Sequence, residues 1–220
     1  MMKFVLGRMR RRDAIGLVLV AALSAGGGAA FGRTASSQVA TADAEGAVQQ
    51  LAAQIWQRLG QTDEQGRIDA ITALLEDATD VELLSRLVLA RYWQQLSDEQ
   101  RARYQGLFRD VVMRTFARRL NQYAQDAQGP LEERFAIVSS APAGKQDVLV
   151  RSRVRPDSGK TLAVDWRLRE GAAGPVIIDV IIEGVSLLVS QRSEFAAVIE
   201  RSDMEGLLAE MQARASSTRS

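Results

Sequence analysis

The chain has no cysteine and no histidine in 220 residues, only four prolines, and just 5% aromatic side chains. Each absence excludes something. Without Cys or His there is no Cys–His pair, no Ser–His–Asp triad and no zinc site of the usual ligand sets. No disulfide can form, so cysteine usage says nothing about redox compartment. So few aromatics argue against a stacking surface for single-stranded nucleic acid. A carboxylate-only or lysine-based enzyme stays open. An excess of one charge is missing too: 28 Lys and Arg against 27 Asp and Glu leave +1.

What is present begins with length. A chain of this size is one medium domain, or one domain behind a leader, and it can bury a sizeable core. Lys3, Arg8, Arg10, Arg11 and Arg12 form a basic start, and Ala14 to Ala30 is weakly apolar. Arg11-Arg12-Asp13-Ala14-Ile15 resembles a twin-arginine export signal, with Ala14 where Phe is usual. Residues 1–42 are therefore read as export signal and linker, 43–215 as one domain, and 216–220 as a polar tail. An uncleaved anchor is the alternative, but a run this rich in Gly and Ala is marginal for a membrane span. Small residues fit a cut after Ala30, while Ala40-Thr41-Ala42 is the better A-x-A match. A cut after Ala42 removes six positive residues (the five above and Arg33) and Asp13. From +1, that leaves about −4, far from the basic excess of a nucleic-acid binder.

The first half of the domain has helical spacing. Val48, Leu51, Ala52, Ile55 and Leu59 recur through Ala44 to Leu59. Asp63 to Leu75 carries Ile68, Ile71, Leu74 and Leu75. Asp80 can cap a third helix, Val81 to about Tyr92, whose apolar stripe of Val81, Leu84, Leu87 and Val88 ends before Arg91. Ser97-Asp98-Glu99-Gln100 is a capping box. It opens the longest helix, to about Asp126, with Tyr104, Leu107, Phe108, Val111, Val112, Phe116, Leu120 and Tyr123 as its stripe. Gly129-Pro130 ends it.

Then the period changes to two. Phe135 to Ser139 is a short strand, and Gln146–Arg155, Thr161–Arg169 and Val176–Glu183 are long ones, with turn residues between them. One face carries Val148, Val150, Val154, Leu162, Val164, Trp166, Leu168, Ile178, Val180 and Ile182. The other carries Arg151, Arg153, Asp165, Arg167, Asp179 and Glu183, where opposite charges can pair across strands. Gly184 breaks the last strand, and Ser186 can cap a helix running to Arg201. A final helix spans Met204 to Arg214. Helices, meander and helices make an α+β chain, with helices packed on an antiparallel sheet.

Asp179 and Glu183 could be a catalytic carboxylate pair, but the neighbouring arginines give them a simpler role. The apolar sheet face needs either a closing helical layer or a ligand, and branched residues line both.

The stretch Asp179-Val180-Ile181-Ile182-Glu183-Gly184-Val185-Ser186, followed by Arg192-Ser193-Glu194-Phe195, resembles the signature of the MlaC (toluene-tolerance) family of periplasmic phospholipid carriers. Leu89-Ala90-Arg91-Tyr92-Trp93 with Ser97 and Gln100 resembles the family's L-G-x-x-W stretch, with Ala90 in place of Gly. Arg114-Thr115-Phe116-Ala117 resembles R-T-Y-A, with Phe116 in place of Tyr. Val164-Asp165-Trp166-Arg167 and Gly206-Leu207 fit as well. Gly174-Pro175 stands where a Trp-Lys pair is common.

The resemblance implies a helical layer over a curved antiparallel sheet, with an apolar lipid slot between them. It implies a periplasmic phospholipid shuttle serving an ABC-transporter-linked system for outer-membrane lipid asymmetry. Its partners would be phospholipid, an inner-membrane ABC transporter complex and an outer-membrane lipoprotein complex. No nucleic acid, cofactor or metal is implied. The expected slot residues are Val112, Phe116, Val150, Val164, Trp166, Ile178, Val180, Val185 and Leu188, each of which could equally be ordinary core. Ser186 and Arg192 are expected to brace the strand–helix junction. A carrier of another lipid, such as a hopanoid, or a ligand-free interaction module would fit the same pattern.

Overall fold

In the computed structural model, which describes residues 39–61, 63–124, 129–156 and 160–218, six helices accompany one open antiparallel sheet. The helices are α1 (Thr41–Leu59), α2 (Glu64–Ala78), α3 (Val81–Leu89), α4 (Asp98–Phe108), α5 (Arg114–Asn121) and α6 (Leu187–Thr218). The strands are β1 (Phe135–Ala143), β2 (Asp147–Val154), β3 (Leu162–Gly171), β4 (Gly174–Ile182) and β5 (Val185–Ser186), paired in sequence order. The fold class is α+β. Most of the expected leader, residues 1–38, and the turn residues expected at 157–159 lie outside the described residues. Thr41 already belongs to α1, and Val39 packs in the core beside it.

Helix starts follow the capping residues. Asp63 accepts the Gly66 amide and Asp80 the Leu83 amide, at 2.6 and 2.9 Å. The Ser97–Gln100 box is closed in both directions. Satisfying otherwise free first-turn amides in this way stabilises each helix by about 1 kcal/mol. Asp203, at φ +55°, accepts the Gly206 amide and divides α6 into two segments near Arg201, as its sequence suggests.

The predicted long helix is not continuous. A π-helical turn at Arg109–Met113 separates α4 from α5. One extra residue in that turn rotates everything after it, so Ala117, not Phe116, is fully buried, and Tyr123 is exposed. Thr115 donates its hydroxyl to Val111 O at 2.6 Å, adding a bond inside the irregular turn.

The same turn carries the chain from one core to another. The first core is helical: Val88, Leu89, Tyr104, Phe108, Val112 and Met113 meet Phe195, Val198, Leu208 and Met211 of α6. Tyr104 is its centre, with ring centroids of Phe108 and Phe195 at 5.7 and 6.3 Å, and its hydroxyl donates to Ser85 O. Burial pushes that phenol well above its ordinary pKa. The second core lies between α1, α2 and the sheet, where Val48, Leu51, Ile55 and Ile71 meet Val148, Val150, Leu168 and Ile177. Ala117, just past the π turn, belongs to this second core.

Two bulges correct the strand reading. Ile137 pairs with Ser152 but Ser139 with Arg151, so Val138 is an extra, exposed residue and β1 runs on to Ala143. Arg167 pairs with Asp179 but Leu168 with Ile177, so Ile178 is the extra residue of β4. Ile177, not Ile178, therefore shares the apolar face with Leu168, and strict alternation fails at that point. Glu183 and Gly184, both at positive φ (+50° and +83°), form a two-residue turn that returns the chain as β5.

Ala90 follows α3 at φ +49°, a conformation that costs a residue with a Cβ and suits glycine. Ala90→Gly is expected to raise stability by about 0.5–1 kcal/mol, read as a higher urea midpoint at unchanged slope.

Candidate functional site

The apolar face of the sheet is dry at one end and open at the other. Along the register, Val148 pairs with Leu168, Val150 with Trp166, and Ser152 with Val164. Trp166 pairs with Val180, Val164 with Ile182, and Ile182 with Val185. Partners in an antiparallel register share a face, so these side chains form one continuous surface. Val148, Val150 and Leu168 are 0% exposed, Trp166 and Val180 are half-buried, Ile182 is 37% exposed and Val185 49%. Val189, on the first turn of α6, is also exposed, at 53%. The result is an apolar strip whose far end has no cover among the described residues.

The expected slot residues divide three ways. Val150, Val164, Trp166, Val180 and Val185 lie on this one face. Val112, Phe116 and Leu188 belong to, or pack against, the helical core instead. Ile178 is buried in the bulge and off the register of the face. The structure thus brings five of the nine together on the sheet.

Sequence reasoning missed Ser152, because it interrupts a run of valines. Its hydroxyl is buried on the apolar face, donating to Val164 O at 2.7 Å and accepting Trp166 Nε1–H at 3.0 Å. It therefore fixes the indole against the sheet with no polar atom left open to the strip. The only hint in the sequence is the position itself: Ser152 falls where a period of two calls for an inward side chain.

The opposite face is electrostatic. Arg169 binds Asp147 at 2.7 Å, and Arg151 reaches Asp165 at 4.0 Å. Asp179 does something different. It is 6% exposed, accepts the Ser186 hydroxyl at 2.6 Å and accepts the Leu188 amide at 3.0 Å. Ser186 in turn accepts the Val189 amide, so it caps α6 as its sequence position suggests. Glu183 accepts the Ala163 amide across the sheet. The two carboxylates are separate backbone fasteners, not a facing acid–base pair. Arg192 donates twice to Leu87 O, at 3.1 and 2.8 Å, bracing α6 against the end of α3.

A groove of about 460 Å³ lies between α2 and α5 and is lined by Glu64, Gln65, Ile68, Arg118, Asn121 and Gln122. Above it Arg114 bonds Asp69 and holds that carboxyl below its usual pKa. Its folded pKa is depressed, so its contribution is present above the ordinary carboxylate range and lost as pH falls through the lowered value. Half of Asp69 faces solvent, so the loss in acid-unfolding curves of Asp69→Asn against wild type is expected to be only a few tenths of a kcal/mol. Among the described residues no cluster of Asp and Glu could hold a metal, and no helix is long and apolar enough to cross a membrane.

With this geometry in view, a protein-family model described as "MlaC protein" matches residues 45–213, most of the chain. The chain belongs to the MlaC family. A phospholipid-binding protein from Ralstonia solanacearum, solved in complex with a phospholipid, is similar at 25% identity and a TM-score of 0.64. The match covers 83% of this chain and 99% of that one. This MlaC-family chain shares its α+β architecture with that neighbour, helices beside an open five-stranded antiparallel sheet.

Proposed function

We propose that this chain is a phospholipid carrier, and that the open part of the apolar strip, from Trp166 and Val180 to Val185, receives acyl chains. The observation that carries the reading is the gradient of exposure along one continuous sheet face, from a dry end to an open end. A dry-core module has no reason to leave Ile182 and Val185 uncovered on the same strip as its buried valines. The phospholipid held by the Ralstonia neighbour supports the same ligand class. Each buried CH₂ is worth about 0.8 kcal/mol, so a long acyl chain gains on the order of 10 kcal/mol before ordering costs. A headgroup left in solvent needs no metal or nucleophile.

The wider role we propose is that of the family: shuttling phospholipid through the periplasm between an inner-membrane ABC transporter complex and an outer-membrane lipoprotein complex, in support of outer-membrane lipid asymmetry. Residues 1–42, read as an export signal and linker, are consistent with that compartment. The role is binding and transfer, not catalysis.

The test is thermal unfolding of the loaded and the delipidated protein. A ligand at 1,000 times its Kd stabilises by about 4 kcal/mol, so removing it is expected to lower Tm by roughly 8–16 °C. Equal melting points, with no response to added phospholipid, would overturn the reading.

A further inference from the structure

Asp179 holds the first turn of α6 through two bonds, the Ser186 hydroxyl and the Leu188 amide. Both donors sit on the short segment 185–189, which supplies Val185 at the open end of the strip and the exposed Val189. The segment hangs on the Glu183–Gly184 turn, where both residues have positive φ. The segment borders the open end of the strip, where Val185 pairs with Ile182. Moving it aside would strip a nearly buried carboxylate of both its donors, a costly state unless another partner takes over. One is in place. Arg167 lies directly across the β3–β4 register from Asp179, on the same face, and its Nε is buried without a hydrogen-bond partner.

We propose that Asp179 is a two-position latch for the lipid strip: closed, it grips the N-terminus of α6 through Ser186 and Leu188; open, it pairs with Arg167. Asp179 and Arg167 are then positioning residues that set how often the segment opens, and neither needs to touch lipid. This rests on the carrier reading for its purpose but not for its motion. Arg167 stabilises the open state, and Ser186 the closed one. Loss of each should therefore act with opposite sign.

Two readouts test this on Ser186→Ala, Arg167→Gln and Arg167→Lys. The first is hydrogen exchange at the Leu188 amide. The second is transfer of a fluorescent NBD-labelled phosphatidylglycerol from the loaded protein to phosphatidylethanolamine–phosphatidylglycerol vesicles. Ser186→Ala, which removes one charge-assisted bond, is expected to speed both by roughly tenfold or more. Arg167→Gln is expected to slow both several-fold, and Arg167→Lys to restore them. If Arg167→Gln leaves both rates unchanged, or speeds them as any loosening of the sheet would, the latch is overturned. If the wild-type protein takes up no lipid, the carrier reading fails, while amide exchange still decides whether the latch exists.

Discussion

Val180→Trp is expected to lower phospholipid affinity by about 100-fold or more while leaving the protein folded. Val180 is half-buried and pairs with Trp166 at the midpoint of the apolar strip. Its side chain meets the second core on one side and the open end on the other. An indole there would occupy the space we assign to an acyl chain. Overpacking a closed core costs about 1–3 kcal/mol, but at this half-open position the ring has room and the stability cost falls at the low end. Losing contact with even four or five methylenes removes on the order of 3–4 kcal/mol of binding, which is where the affinity figure comes from. The control is Arg151→Trp, an exposed site on the opposite face, which is expected to bind as wild type does. Titration of both variants with short-chain phosphatidylglycerol, followed by tryptophan fluorescence, makes the comparison. Unchanged affinity in Val180→Trp would mean that the lipid lies elsewhere in the fold.

Phe108→Ala should do the reverse. Phe108 is 0% exposed in the helical core, packed with its ring tilted against Tyr104 at 5.7 Å, on the last turn before the π-helical segment. Truncating such a side chain costs about 3–5 kcal/mol through lost burial and the cavity left behind. That is a large share of the stability of a domain this size, so the urea midpoint should fall sharply. The bound-lipid fraction of the molecules that remain folded should not change, because this core is separate from the sheet strip. A variant that loses binding in proportion to stability would show that the two cores act as one unit. The contrast with Val180→Trp assigns structure to the first core and cargo to the second.

Much of this was legible in the sequence, and the reasons are local. Capping residues announce helix starts because few side chains can satisfy first-turn amides, so Asp80, Ser97 and Ser186 all mark their helices correctly. The alternation of β2 and β3 carries over unbroken into their register, so Val150, Val164 and Trp166 fall on one face as expected. What was not legible came from single-residue insertions into a regular period. Ile178 and Val138 are each one residue too many for their strands, and no local propensity marks either as a bulge. The π turn does the same to the long helix, moving burial from Phe116 to Ala117. Ala90 hides its positive φ because alanine is the best helix former. Asp179 was read as an ion-pairing strand residue because arginines share its face of the sheet. The structure instead spends that carboxylate on the helix that follows, a partner seven to nine residues along the chain.

Native mass spectrometry of the protein purified from its own cells, with lipid extraction from the same sample, tests the central claim most directly. The account predicts a folded mass that includes roughly one phospholipid per chain, with phospholipid recovered in the extract. A folded protein that carries no lipid, and takes up none when mixed with phospholipid vesicles, would contradict it.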